Sequence, residues 1–198
     1  MTSEKESSNQ PIIDNSTTPW WLKIWQEQKE NIKVVAIALF LSLLIRILIA
    51  EPRYIPSDSM MPTLKVGDRL VIEKISYNFY PPTTGDIIVF EAPQQLQPYG
   101  YTKNQAFIKR IIGLPGDTIR IENGTVYVND QPLTENYIAE PPEYALPTSI
   151  KIPEDKYFVM GDNRNNSNDS HVWGFLPRKN IIGKAIFRFW PYQRLGSV

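Results

Sequence analysis

Two serines, Ser57 and Ser59, stand in the segment YIPSDSMMPTLKVGDRL, Tyr54 to Leu70, directly after a long apolar run. A hydroxyl becomes a competent nucleophile only when a neighbouring group takes its proton. The chain has one histidine, His171, more than a hundred residues further on. Lys109, in AFIKRIIGLPGD, lies among Phe107, Ile108, Ile111 and Ile112. A lysine amine is protonated in water, and it serves as a base only where a low dielectric disfavours its charge. Side chains alternate along a strand, which places Phe107, Lys109 and Ile111 on one side and Arg110 on the other. A third segment, GDNRNNSNDSHVWG, Gly161 to Gly174, is dense in the hydroxyls, amides and carboxylates that could ligate a cation.

Each segment alone also has a plain structural reading. Pro-Ser-Asp-Ser suits a turn or a helix cap. A strand lysine usually points to solvent with its stem across apolar neighbours. Loops dense in Asp, Asn and Ser are mostly Asx turns, and a few hold calcium.

The elements that must position these groups follow from patterning. The run VVAIALFLSLLIRILIA, Val34 to Ala50, has almost no polar face, unlike a soluble amphipathic helix. A bilayer core of roughly 30 Å takes about 17–25 helical residues, so the run is just long enough to span. Arg46 is close enough to its end to reach the headgroups. Trp20, Trp21, Ile24 and Trp25 precede it, as suits a membrane interface. Cleavage of the run as a secretion signal would need small residues at the first and third positions before the cut. Leu48 fills the third, and Pro52 lies just beyond, so the run reads as an uncleaved anchor. Lys23, Lys29 and Lys33 before it, against Arg46, Arg53 and Lys65 in or after it, lean slightly toward a cytoplasmic N-terminus.

Beyond the anchor the period changes to two. RLVIEKISY, GDIIVFEAP, AFIKRIIGL, DTIRIENGTVYVND and KYFVMGDN are short β-branched and aromatic runs bounded by Gly, Pro, Asp and Asn, which predicts strands. Asn123-Gly124 predicts a two-residue hairpin, and NIIGKAIFRFWPY predicts one or two closing strands. Seventeen prolines against ten glycines suit strands and loops more than a helical bundle. Lys and Arg together number 21, as do Asp and Glu, so no basic field argues for nucleic acid. The absence of cysteine excludes disulfides, a thiol nucleophile and cysteine-based zinc sites.

Taken together and in this order, SDSMMPTLKVGD, GDIIVF, FIKRIIGLPGD and GDNRNNSNDS resemble the type I signal peptidases, membrane-bound serine proteases that remove signal peptides from exported proteins. The resemblance runs from about Tyr54 to Pro191. NNSNDSHVWGFLP is most similar to the cyanobacterial and plastid thylakoid branch. The resemblance implies a mainly β fold: an antiparallel, barrel-like catalytic domain over 52–198. An interfacial segment and transmembrane helix over 20–51 and a flexible polar tail over 1–19 precede it. It also implies Ser59 as nucleophile and Lys109 as general base. Ser57 would join the Ser59 N–H in the oxyanion hole, and Ser167 and Asp169 would orient the lysine and steady the loop beneath it. No cofactor or metal is implied. The implied partners are preprotein signal peptides cut after Ala-x-Ala-like sites, the lipid bilayer and the export machinery. The catalytic domain would then lie on the trans side of the membrane.

Many family members carry arginine where this chain has His171, so Asp169 needs another partner, either Arg164 or His171 itself. A Ser59–His171–Asp169 triad is a competing reading. Met60, next to the nucleophile, suits either the wall of the S1 pocket or ordinary packing. Pro62 occupies the position where a Ser-x-x-Lys enzyme needs lysine, and no Gly-x-Ser-x-Gly elbow is present. The self-cleaving repressor-type proteases share a serine–lysine core but fit an apolar anchor badly. The non-enzymatic alternative is an anchored β-domain that binds peptide, or calcium through Asp162, Asn163, Asn166 and Asp169. Its loop lacks the glycine and terminal glutamate of an EF-hand.

Overall fold

The computed structural model describes residues 19–102 and 105–198. All but the last residue of the expected polar tail lies outside the described residues. The chain divides into two compact units between Leu44 and Ile45.

The first unit carries most of helix α1, Trp20–Leu48. Pro19 precedes it, which suits a helix start because proline cannot extend a helix N-terminally. From Val34 to Leu48 every side chain is exposed. The window Asn31–Leu48 has mean hydropathy 2.2 with none of it buried, so the helix is long and apolar enough to cross a membrane. An apolar surface running all round a helix has no polar face to give to water.

The second unit is built from strands β1 Ala50–Tyr54, β2 Arg69–Glu73, β3 Ile87–Glu91, β4 Ala106–Gly113, β5 Thr118–Glu122 and β6 Thr125–Val128. These are followed by β7 Gln131–Pro132, β8 Ile150–Lys151, β9 Lys156–Met160, β10 Leu176–Pro177, β11 Ile181–Trp190 and β12 Gly196–Ser197, with a one-turn helix α2 at Ser170–Trp173. They form an eight-stranded sheet ordered β1-β2-β11-β3-β4-β9-β10, with β12 on β11, and a four-stranded sheet ordered β7-β6-β5-β8. Every pairing is antiparallel. The fold is thus mainly antiparallel β with one N-terminal apolar helix. Pairing begins at Ala50, so the sheet takes over within two residues of the helix end.

The predicted hairpin joins β5 to β6 at Asn123-Gly124, with φ of 49° and 74°, the left-handed values a type I′ turn demands. Alternation on β4 divides its apolar residues between clusters. Ile108 packs with Ile55, Met60, Leu64, Ile72 and Val89, whereas Phe107 and Ile111 pack with Ile88, Phe90 and Trp173. Lys109 is paired in register with Ile88. β4 is therefore an interior strand, and a lysine at its centre is removed from water on both flanks.

Candidate active site

Ser59 lies on the tight loop that links β1 to β2. The loop is closed by Met61 N–H donating to Asp58 O at 2.9 Å and Leu64 N–H donating to Met60 O at 2.8 Å. Ile55 before the serine and Met60 and Leu64 after it are buried and pack into the core, so hydrophobic burial pins the loop on both sides of the serine. That settles Met60 as a packing residue. Ser59 is held a second time through its carbonyl, which accepts from Asn163 N–H at 3.1 Å, while Asn163 Nδ2 donates to Asp58 O at 3.2 Å.

Lys109 is 3% exposed. Its Nζ lies 2.7 Å from Ser59 Oγ and donates to Ile108 O at 3.0 Å. Burial pushes the amine down from its ordinary 10.5 to about 8, against the pull of the Asp169 and Asp162 carboxylates, which favour the ammonium. At that value a substantial fraction is neutral in mildly alkaline solution, and a neutral amine can accept the hydroxyl proton. Ser57 Oγ is exposed and 3.4 Å from Ser59 Oγ. The Ser59 N–H carries no hydrogen bond among the described residues, which leaves it free to donate to an incoming carbonyl oxygen.

The floor of the site is Gly161, at the end of β9. Its N–H donates to Asp169 Oδ2 at 2.8 Å. Asp169 has no exposed surface and caps α2, accepting from His171 N–H at 3.2 Å and lying 2.7 Å from His171 Nδ1. The His171 ring stacks on Tyr144 with centroids 3.9 Å apart.

Arg164 was one of two expected partners for Asp169, and it takes a different one. Its buried guanidinium forks onto Glu135, donates to Gly161 O at 3.1 Å through Nε, and leaves Asp169 to His171. The physical reason is the bidentate match of guanidinium and carboxylate, which a single Asp oxygen already committed to imidazole does not offer. Ser167 also differs from expectation. Its Oγ is buried without a hydrogen-bond partner, and the Lys109 amine turns to Ile108 O. Ser167 instead packs against Gly161.

The histidine triad is not assembled. His171 engages Asp169 and Tyr144, while the contact of Ser59 Oγ is Lys109. The calcium reading loses its donors, because both Asp162 oxygens are taken by Arg110, at 2.8 and 2.6 Å, and both Asp169 oxygens by Gly161 and His171.

Glu135, Gly161 and Asn163 were missed as site-supporting residues. Glu135 sits in QPLTENYIAE, far from any motif, and nothing local marks it. Glu135→Ala would strand a buried guanidinium. The expected loss is about 3–5 kcal/mol, read as a fall in melting temperature of about 10 °C for a domain of this size.

Residues 28–190 match the family described as "Signal peptidase, peptidase S26". The chain is 62% identical over 174 residues to the probable signal peptidase I-1 of a Synechocystis species, covering 88% of each chain. It is 55% identical over 169 residues to the signal peptidase I of Leptolyngbya laminosa, covering 85% of this chain and 83% of that one. To the probable thylakoidal processing peptidase 2 of Arabidopsis thaliana it is 43% identical over 186 residues, covering 94% of this chain and 50% of that one. With the family matched across most of its length and cyanobacterial and plastid relatives this similar, the chain belongs to the S26 signal peptidases, a family of serine endopeptidases.

Proposed function

We propose that this chain removes N-terminal signal peptides from exported preproteins after Ala-x-Ala-like sites, with Ser59 as nucleophile and Lys109 as its base. The enzyme works from an uncleaved membrane anchor with its N-terminus in the cytoplasm and its β unit on the trans side. The observation that carries the reading is the 2.7 Å contact between Ser59 Oγ and a buried amine held near 8.

The chemistry follows from that pair. Neutral Lys109 accepts the Ser59 hydroxyl proton as Oγ attacks the scissile carbonyl. The oxyanion that forms is met by the Ser59 N–H and the Ser57 hydroxyl. Collapse of the tetrahedral species breaks the C–N bond, and the Lys109 ammonium returns its proton to the leaving amine. An ester between Ser59 and the signal peptide remains. The same amine then takes a proton from water, whose oxygen attacks the ester, and the ammonium returns that proton to Ser59 Oγ as the C–O bond breaks. Asp169 and Asp162 favour the ammonium, so they stabilise the intermediate in which Lys109 carries the proton, the part aspartate plays toward imidazole in a histidine triad.

The test is cleavage of a preprotein carrying an Ala-x-Ala site by the full chain in detergent, with sequencing of the new N-terminus. The rate should climb with pH and level off above an apparent pKa near 8, falling about tenfold per pH unit well below it. His171→Ala should keep most of the activity, since its ring serves Asp169 and not Ser59. A rate independent of pH between 6 and 9, or a dead His171→Ala that is still folded, would overturn the assignment of the base.

A further inference from the structure

Away from Ser59 and Lys109 a cleft of about 570 Å³ opens between Lys74 and Tyr77 on one side and residues 154–156 and 177–179 on the other. Four cations line it, Lys74, Lys156, Arg178 and Lys179, against two exposed acids, Glu154 and Asp155. Only Lys74 has a carboxylate partner among the described residues, Glu51 at 2.7 Å. The Arg178 guanidinium is fixed by neutral acceptors, donating to Tyr77 O at 3.1 Å and Tyr157 OH at 3.3 Å. A positioned guanidinium with no ion-pair partner among the described residues, in a walled cleft, is suited to phosphate oxygens.

The place of the cleft says which phosphate. Ile45 onward belongs to the same compact unit as the sheet. Lys74 N–H donates to Ile49 O at 2.9 Å, and its Nζ reaches Ile47 O at 3.5 Å. One wall of the cleft is therefore tied to the residues leaving the helix, just where the apolar window ends at Leu48. With that window across the hydrocarbon, Lys74 stands at headgroup depth. Phe79 and Tyr80, in the chain just beyond Asn78 of the cleft wall, are 74% and 70% exposed, an aromatic pair of the kind that settles at a lipid interface.

We propose that this cleft binds the headgroup of an anionic phospholipid, a proposal that rests on the membrane-anchored reading. The test uses the full chain in neutral detergent, titrated by calorimetry with short-chain phosphatidylglycerol, short-chain phosphatidylcholine and inorganic phosphate. Phosphatidylglycerol should bind at least about tenfold more tightly than either of the others. Lys156→Gln/Lys179→Gln should lose that preference to within about twofold while cleaving preprotein in detergent at the normal rate, which shows that it is folded. Equal binding of the two lipids, or a preference retained in the double variant, would overturn the site. Phosphate binding as tightly as phosphatidylglycerol would overturn the lipid assignment. Alkaline extraction of the full chain from phosphatidylcholine vesicles checks the anchor separately. Release there would sink the anchored reading whatever the titration gives.

Discussion

Lys109→Met should leave a protein that folds better than the parent at neutral pH and cleaves about 10⁴-fold more slowly. Methionine keeps the length and the apolar stem and removes only the amine. Without a base the Ser59 hydroxyl stays protonated, so the loss belongs in kcat and not in KM, and Ser59→Ala should match it. The stability gain comes from the same burial that tunes the amine. Lys109 is held at about 8 instead of 10.5. At about 1.4 kcal/mol per pH unit, the fold bears about 3 kcal/mol for carrying the ammonium at neutral pH. The sign is opposite to that of a lysine gaining an ion-pair partner. Between about 8 and 10.5 the unfolded chain holds more protons than the folded one, so wild-type stability rises with pH through that window. The variant escapes the penalty but loses the contacts to Ile108 O and Ser59 Oγ, each worth about 1 kcal/mol. The net gain at pH 7 is then about 1–2 kcal/mol, or about 3–6 °C in melting temperature. It should fade as pH climbs past 8 and reverse above about 10. Thermal melts of the two proteins at pH 7 and pH 10 read this directly. A variant less stable at both would mean that the amine is not desolvated in the folded state.

Lys109 was singled out through the resemblance, and what its own neighbours made legible was the desolvated setting: a lysine inside a strand beside Phe107, Ile108, Ile111 and Ile112. The apolar helix and the Asn123-Gly124 hairpin were legible for the same reason, since period and turn chemistry are carried by adjacent residues. What escaped were the interactions across the fold that no motif carries. Arg164 was placed near Asp169 by proximity in sequence, yet its partner Glu135 is 29 residues away, in a segment with no motif. Ser167 was assigned to the amine through the resemblance, and the structure puts its hydroxyl in a dry position beside Gly161. Met60 was readable either as pocket wall or as core, because a residue next to a nucleophile can face both ways. Only burial decides between them. The pairing of His171 with Asp169 was half legible, as two residues separated by one position can meet once a helix cap turns the chain.

Gly161→Ala should be the most damaging substitution in the site that touches neither Ser59 nor Lys109. The argument is one of space. A β-carbon on Gly161 would overlap the Ser59 carbonyl oxygen and Ser167 Oγ and lie 2.7 Å from Ser167 Cβ, inside the 3.0 Å that real β-carbons keep. Neither neighbour yields cheaply. The Ser59 carbonyl is held by Asn163 N–H at 3.1 Å, and Ser167 belongs to the loop that Asp169 and Arg164 tie to Gly161 through its N–H and C=O. Forcing a methyl into so closely packed a place costs about 1–3 kcal/mol. The activity cost is larger, because the atom displaced is on the backbone of Ser59, the proposed nucleophile. A shift of about 1 Å in a reacting group takes about 10²-fold from the rate. Adding Ser167→Gly removes the obstruction on one side only. The double variant should therefore regain part of the lost melting temperature while remaining about 10²-fold slow in kcat, since the methyl still presses on Ser59. Full recovery of activity in the double variant would place the damage at Ser167 instead. A Gly161→Ala enzyme within about threefold of the parent rate would mean that the Ser59 loop has freedom its hydrogen bonds do not suggest.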